Sequence, residues 1–195
     1  LQMLPIKHAN RKNVTFLSSP LALLVLSACG GGGGGVSAPA SFSVGGSVVK
    51  GPLSNALVGL DYDGDGVVDS ATVRTNADGS YSLTTSNTSY TVIAVSDDST
   101  IDASSGAVMS GITLKAPKGA SVVTPTTTLI EEASLTKEQV AEVLGLPDGV
   151  DPLTFNPYAA GVDATEALAV EKASQQIMSV VNAFAGAAEG AGASQ

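Results

Sequence analysis

The densest chemistry in this sequence lies in DYDGDGVVD, residues 61–69. Carboxylates stand at Asp61, Asp63, Asp65 and Asp69, positions 1, 3, 5 and 9 of the stretch, and Gly66 holds position 6. Alternate acids in a short loop aim hard oxygen ligands at one point. A glycine permits the sharp bend, and the backbone carbonyl of Val67 at position 7 adds a further oxygen. Calcium takes about six to eight oxygens at about 2.3–2.6 Å, and this loop can supply several of them. Packed this closely, the carboxylates also repel one another, and a divalent ion would relieve that repulsion. The other reading of the same residues is a solvated turn, rich in Asp and Gly, between two strands.

The spacing resembles the first part of an EF-hand-type calcium loop and departs from it further on. Position 12 is Thr72, where that loop has a bidentate Glu, and no acid lies between Ser70 and Thr75. The flanking segments read as strands, not helices. A complete ligand shell would need water or a distant acid such as Asp97, Asp98 or Asp102. The expected affinity is that of extracellular modules, roughly 10⁻⁴–10⁻³ M.

The second chemically distinctive residue is Cys29, the one cysteine of the chain, followed by six glycines. A lone thiol beside polyglycine is a poor disulfide, metal or nucleophile site. The one histidine, His8, lies further upstream. The sequence beyond Cys29 therefore holds neither residue type, which excludes Ser-His-Asp and Cys-His catalysis and any His/Cys zinc site there.

Charge divides at the same point. The net charge is −9, from nine basic and 18 acidic residues. Lys7, Arg11 and Lys12 precede Cys29 and all the acids follow it, so loss of residues 1–28 leaves six basic against 18 acidic residues, a net charge of −12. Such a surface repels nucleic acid and anionic membrane faces and suits cations.

Residues 1–28 read as a signal peptide: a basic start, an uncharged apolar run VTFLSSPLALLVLSA, then small residues. The run is shorter than the roughly 20 residues that span a bilayer. The alternative, a buried helix, would carry Pro20 in mid-helix and end in polyglycine. Met3 is the expected initiator. Leu26-Ser27-Ala28-Cys29 resembles the lipobox of bacterial lipoproteins. That resemblance implies cleavage before Cys29, a diacylglycerol on its thiol and acylation of the new amino group. Two or more acyl chains anchor stably where one holds only marginally. With Gly30 following the cysteine, the resemblance implies an outer-membrane lipoprotein of the cell envelope, periplasmic or surface-exposed. Residues 29–41 then form the lipidated cysteine and a Gly-rich tether of roughly 20 Å, from about 5–6 Å × √n for a flexible coil.

The elements that must position the acidic loop lie in residues 42–123. Strand-sized runs rich in Val, Thr and Ser recur at short spacing, separated by turn chemistry such as Asn76-Ala77-Asp78-Gly79. The expected fold is an antiparallel β-sandwich. In NALVGLDYD, Leu57, Gly59 and Asp61 fall on one face and Val58, Leu60 and Tyr62 on the other. GGSVVKGPLSNALVGLD, then TVRTNADGSYSL and YTVIAVS, resemble carboxypeptidase-regulatory-like (prealbumin-type, Ig-like) modules and the B-type repeats of Gram-positive adhesins. Gly46, Val48, Ala56, Val58, Thr75, Asp78, Gly79, Tyr81, Leu83, Tyr90 and Val92 carry the likeness. It implies a stalk, spacer or binding unit and assigns no chemistry, with Asp78-Gly79 as a turn.

Residues 124–186 read as an α-helical region of two or three helices. One helix follows Pro125, and another opens at Thr136 with Gln139 as a capping box and stops at Gly145 and Pro147. A longer helix starts at Asp163 and Glu166. Its stripe of Val170, Ala173, Ile177, Val181 and Phe184 reads as a core face, or else as a surface for a partner helix. Gly186 is the expected stop, with residues 187–195 a flexible tail or fragment end. Residues 114–152 also resemble a segment found beside such β modules in large bacterial surface proteins, in which case residues 1–195 would be the front of a longer chain.

The whole is therefore expected to be mainly β with a C-terminal helical extension. The expected function is a non-enzymatic, membrane-anchored surface lipoprotein: a structural or adhesive module stabilised by calcium, meeting cell-surface protein or polysaccharide and no nucleic acid. The alternatives are a calcium-dependent carbohydrate- or peptide-binding module and the anchor or stalk of a longer surface protein or enzyme. With no Trp and four each of Tyr and Phe, an aromatic stacking platform is hard to build. Carboxylate chemistry of the glycosidase kind is the one catalytic route left, and no acid pair is marked for it.

Overall fold

A computed structural model describes residues 40–190, apart from the side chains of 185 and 188–190. The chain is mainly β with helices at its C-terminal end, as its patterning predicts. Nine strands run from Phe42 to Val123: β1 (Phe42–Val48), β2 (Leu53–Ser54), β3 (Leu57–Asp61), β4 (Val73–Arg74), β5 (Ser80–Thr85), β6 (Thr91–Val95), β7 (Ile101–Asp102), β8 (Thr113–Pro117) and β9 (Val122–Val123). Helices α1 (Pro125–Ala133), α2 (Lys137–Leu144) and α3 (Ala164–Gly190) follow.

The strands form a four-stranded sheet in the order β4-β3-β6-β8, a three-stranded sheet in the order β5-β1-β9, and the small pair β2-β7. Alternation builds the interior. Val44 and Val48 of β1 and Tyr81 and Leu83 of β5 face inward, against Val58 and Leu60 of β3, Val92 and Ala94 of β6, and Leu114 and Ala116 of β8. One pairing departs from the antiparallel expectation. β9 lies parallel to β1, with Ser47 opposite Val122 and Val48 opposite Val123, because the chain returns to that sheet on its way into α1.

The Asn76–Gly79 turn forms as its residues demand, with Gly79 N–H donating to Asn76 O at 3.0 Å. It does not join two paired strands. β4 pairs with β3 and β5 with β1, so the turn carries the chain from one sheet to the other.

β8 is an edge of the four-stranded sheet, and α1 covers part of that edge. Lys115 N–H donates to Thr128 Oγ1 at 2.9 Å, and Thr127 Oγ1 donates to Lys115 O at 2.7 Å. Two threonine hydroxyls thus occupy backbone groups that an added strand would otherwise use. α1 starts at a capping box between Thr124 and Thr127. α2 has the expected box between Thr136 and Gln139 and ends at Gly145 in the left-handed conformation.

α3 differs from expectation in two ways. It continues through Gly186 to Gly190, since a helix tolerates a single interior glycine at a cost of about 1 kcal/mol. Its apolar stripe is covered only in part. Val170, Ala173 and Met178 are buried, whereas Val180, Val181 and Phe184 are exposed. An open apolar groove of about 450 Å³ runs between β8, α1 and this part of α3, lined by Ile112, Leu114, Leu129, Ile177, Met178 and Val181.

Candidate functional site

The acidic loop begins at the last residue of β3. Asp61 is 3 % exposed, and its carboxylate organises everything after it. Oδ1 accepts from Asp63 N–H at 3.1 Å and Gly64 N–H at 2.7 Å, and Oδ2 accepts from Gly66 N–H at 2.9 Å. The loop closes on itself through Asp63 Oδ1, which accepts from Asp65 N–H, and Asp65 Oδ1, which accepts from Val67 N–H at 2.7 Å. Gly64 and Gly66 take φ of +83° and +85°, a region open to glycine at no steric cost.

The chain then folds back over β3. Asp69 and Ser70 N–H groups both donate to Leu60 O, at 2.9 and 3.1 Å. Val68 settles over Gly59, where any Cβ would collide with its side chain. Gly59 thus leaves the outer face of β3 open for the loop to rest on.

This folding brings carboxylate oxygens of Asp61, Asp63 and Asp65 within 4.8 Å of one another. Asp69 does not join them; its Oδ2 accepts from Tyr62 N–H at 2.7 Å and latches the loop's exit to its entrance. Val67 has its side chain in solvent. The distant acids that the sequence offered as further ligands lie elsewhere. Asp97 pairs with Arg74 at 2.7 Å, and Arg74 stands opposite Leu57, at the far end of β3 from Asp61. Asp102 Oδ1 instead accepts from Ser104 N–H at 2.8 Å. Cys29 lies outside the described residues.

The neighbours the structure supplies are different ones. A polar cleft of about 130 Å³ is lined by Asp61, Gly64, Thr91, Lys115, Glu131 and Glu132. Thr91 pairs with Asp61 across β3 and β6, and its hydroxyl donates to Glu131 Oε1 at 2.6 Å. Lys115 Nζ sits 2.6 Å from Glu132 Oε1 and close beside Gly66. The strand alternation of TLKAP placed Lys115 on the face opposite Leu114 and Ala116, so half of this was readable. The arrival of Glu131 and Glu132 was not, because it depends on where α1 docks.

Electrostatically, burial pushes the Asp61 carboxyl upward. The N–H donors of Gly64, Gly66 and Asp63, with the nearby Lys115 ammonium, outweigh burial and hold it below the ordinary carboxylate value. Asp61 is therefore an ionised, buried anchor whose oxygens already face three amides. Asp63 and Asp65 are exposed and face outward from the loop. The arrangement suits a hard cation at the rim of the loop, with Asp61 shaping the loop beneath it.

No protein-family model, curated protein or solved structure matches the chain.

Proposed function

We propose that this chain is a membrane-anchored, non-enzymatic surface lipoprotein. Lipid on Cys29 holds it to the cell envelope, and the sandwich serves as a structural or adhesive module facing cell-surface protein or polysaccharide. Calcium at Asp61, Asp63 and Asp65 stiffens the loop that closes one end of β3. The observation that supports the structural role is the sandwich interior, filled by side chains such as Val48, Val58, Leu60 and Val123, with the carboxylate cluster held outside it. This reading takes the chain as non-enzymatic because its single His and single Cys both fall in the first 29 residues and its sequence marks no acid pair for glycosidase-type chemistry.

Among the described residues, no helix is long and apolar enough to cross a membrane. Replacing the thiol tests the anchor. Wild-type protein is expected in the membrane fraction and Cys29→Ser in the soluble fraction after cell lysis. Retention of the unlipidated variant with the membranes would overturn the anchor.

A further inference from the structure

Four Asp-Gly pairs occur in the sequence: Asp63-Gly64, Asp65-Gly66, Asp78-Gly79 and Asp148-Gly149. Among Asp-X dipeptides, Asp-Gly is the most open to succinimide chemistry, because glycine offers no side chain to hinder attack by its own amide nitrogen on the preceding carboxyl. The four are equivalent as sequence. The structure separates them at both reacting groups.

At three pairs the nucleophile is held. Gly64 and Gly66 N–H donate to the two oxygens of Asp61 at 2.7 and 2.9 Å, and Gly79 N–H donates to Asn76 O at 3.0 Å. At the same three pairs the carboxylate is also engaged, each accepting the backbone N–H two residues on: Asp63 from Asp65, Asp65 from Val67, and Asp78 from Ser80. Asp148-Gly149 is different. It sits in the turn after α2 that Val150 N–H closes on Pro147 O at 3.1 Å. Both residues are exposed, and among the described residues neither the Gly149 N–H nor the Asp148 carboxylate has a partner.

We propose that Asp148-Gly149 is a site of spontaneous aspartyl isomerisation, and that Asp61 shields the acidic loop from the same reaction. The Gly149 nitrogen loses its proton and bonds to Asp148 Cγ, and the hydroxyl of the protonated Asp148 carboxyl leaves that carbon as water, closing a five-membered succinimide. Water then reopens the ring. Addition at Cγ restores aspartate, and addition at the backbone carbonyl carbon leaves the main chain running through Cβ as isoaspartate. One water leaves and one returns, with no oxidant or other reactant. The product carries an extra methylene in the main chain just before buried Val150 and before Asp151, which ion-pairs with Lys137 at 2.7 Å. Isomerisation thus acts on the contact that ties α2 to the following loop, and it makes the turn a substrate for an isoaspartyl methyltransferase.

The test is ageing of the full chain near neutral pH, followed by peptide separation and electron-transfer fragmentation to place each isoaspartate. Isoaspartate at 148 should form about two- to tenfold faster than at 63, 65 or 78, the ratio expected when one ordinary hydrogen bond must first be broken. Asp148→Glu, which would need a six-membered ring, should remove that signal. Asp61→Asn, which leaves one acceptor oxygen for three amides, should raise isoaspartate at 63 or 65 and leave 148 unchanged. Equal rates at the four pairs, a faster rate at 63, 65 or 78, or no isoaspartate at 148 would overturn the proposal. The four-site comparison in the wild-type chain decides it even if Asp61→Asn fails to fold.

Discussion

In the sandwich, Val48, Val58, Leu60 and Val123 are fully covered, whereas along α3 the cover stops after Met178, and Val180, Val181 and Phe184 stand 55 %, 52 % and 73 % exposed. Both regions carry clear apolar periodicity. The difference is what lies opposite. Each inward face of the sandwich meets the inward face of the other sheet, so the module supplies its own partner. Among the described residues of α3, buried apolar side chains end at Met178, and Ile177, Met178 and Val181 form one wall of an open groove. An apolar stripe therefore says which face a helix would bury, and the packing around it decides whether that face is buried.

The contrast breaks most visibly under truncation. Leu60→Ala removes a fully covered side chain and should destabilise by about 2–5 kcal/mol, whereas Phe184→Ala should stay within about 0.5 kcal/mol. Denaturant midpoints of the two variants check this, and equal losses would show that the end of α3 is covered in solution. A smaller effect sharpens the boundary between sandwich and helices. Thr127→Val removes the hydroxyl that accepts Thr124 N–H at 2.8 Å and donates to Lys115 O. It should cost about 1–3 kcal/mol by leaving buried polar groups unpaired. An unchanged midpoint would mean that α1 is not held to the β8 edge by that contact.

Much of this architecture was legible locally. The alternation in β1, β5 and β8, the Thr136–Gln139 capping box and the stop at Gly145 follow from side-chain period and backbone preference alone. Pairing was less legible. Asn76-Ala77-Asp78-Gly79 announces a turn, yet its strands belong to different sheets, because turn chemistry fixes a reversal of direction and not a neighbour. The acidic loop divides in the same way. The convergence of Asp61, Asp63 and Asp65 is a property of nine adjacent residues and could be read from their spacing. The same spacing offers Asp69 as a further carboxylate, and the structure sets its Oδ2 on Tyr62 N–H, apart from the other three. Lys115 follows from the alternation of β8, whereas Glu131 and Glu132 arrive with the docking of α1, which no local spacing encodes.

The least drastic probe is pH, and it tests the loop against the rest of the sandwich. The carboxyl of Asp61 is depressed in the folded chain below its ordinary value of 3.8. Its contribution to stability is therefore complete above that value and is lost as pH falls through 3.8 toward the folded-state value. Asp61→Asn should flatten this part of the acid limb in a melting-temperature profile. An acid limb identical to that of the wild type would mean that Asp61 is not held by the amides of the loop.

The proposed role of the acidic loop is that of a cation site that stiffens an otherwise self-sufficient sandwich. Calcium titration by calorimetry, with the melting temperature followed in parallel, tests it most directly. Wild-type protein is expected to bind with a dissociation constant of roughly 10⁻⁴–10⁻³ M and to melt higher at millimolar calcium. The double variant Asp63→Asn/Asp65→Asn should do neither. No binding heat and no rise in melting temperature for the wild-type chain would contradict the account and leave residues 61–69 as a turn held together by its own amides.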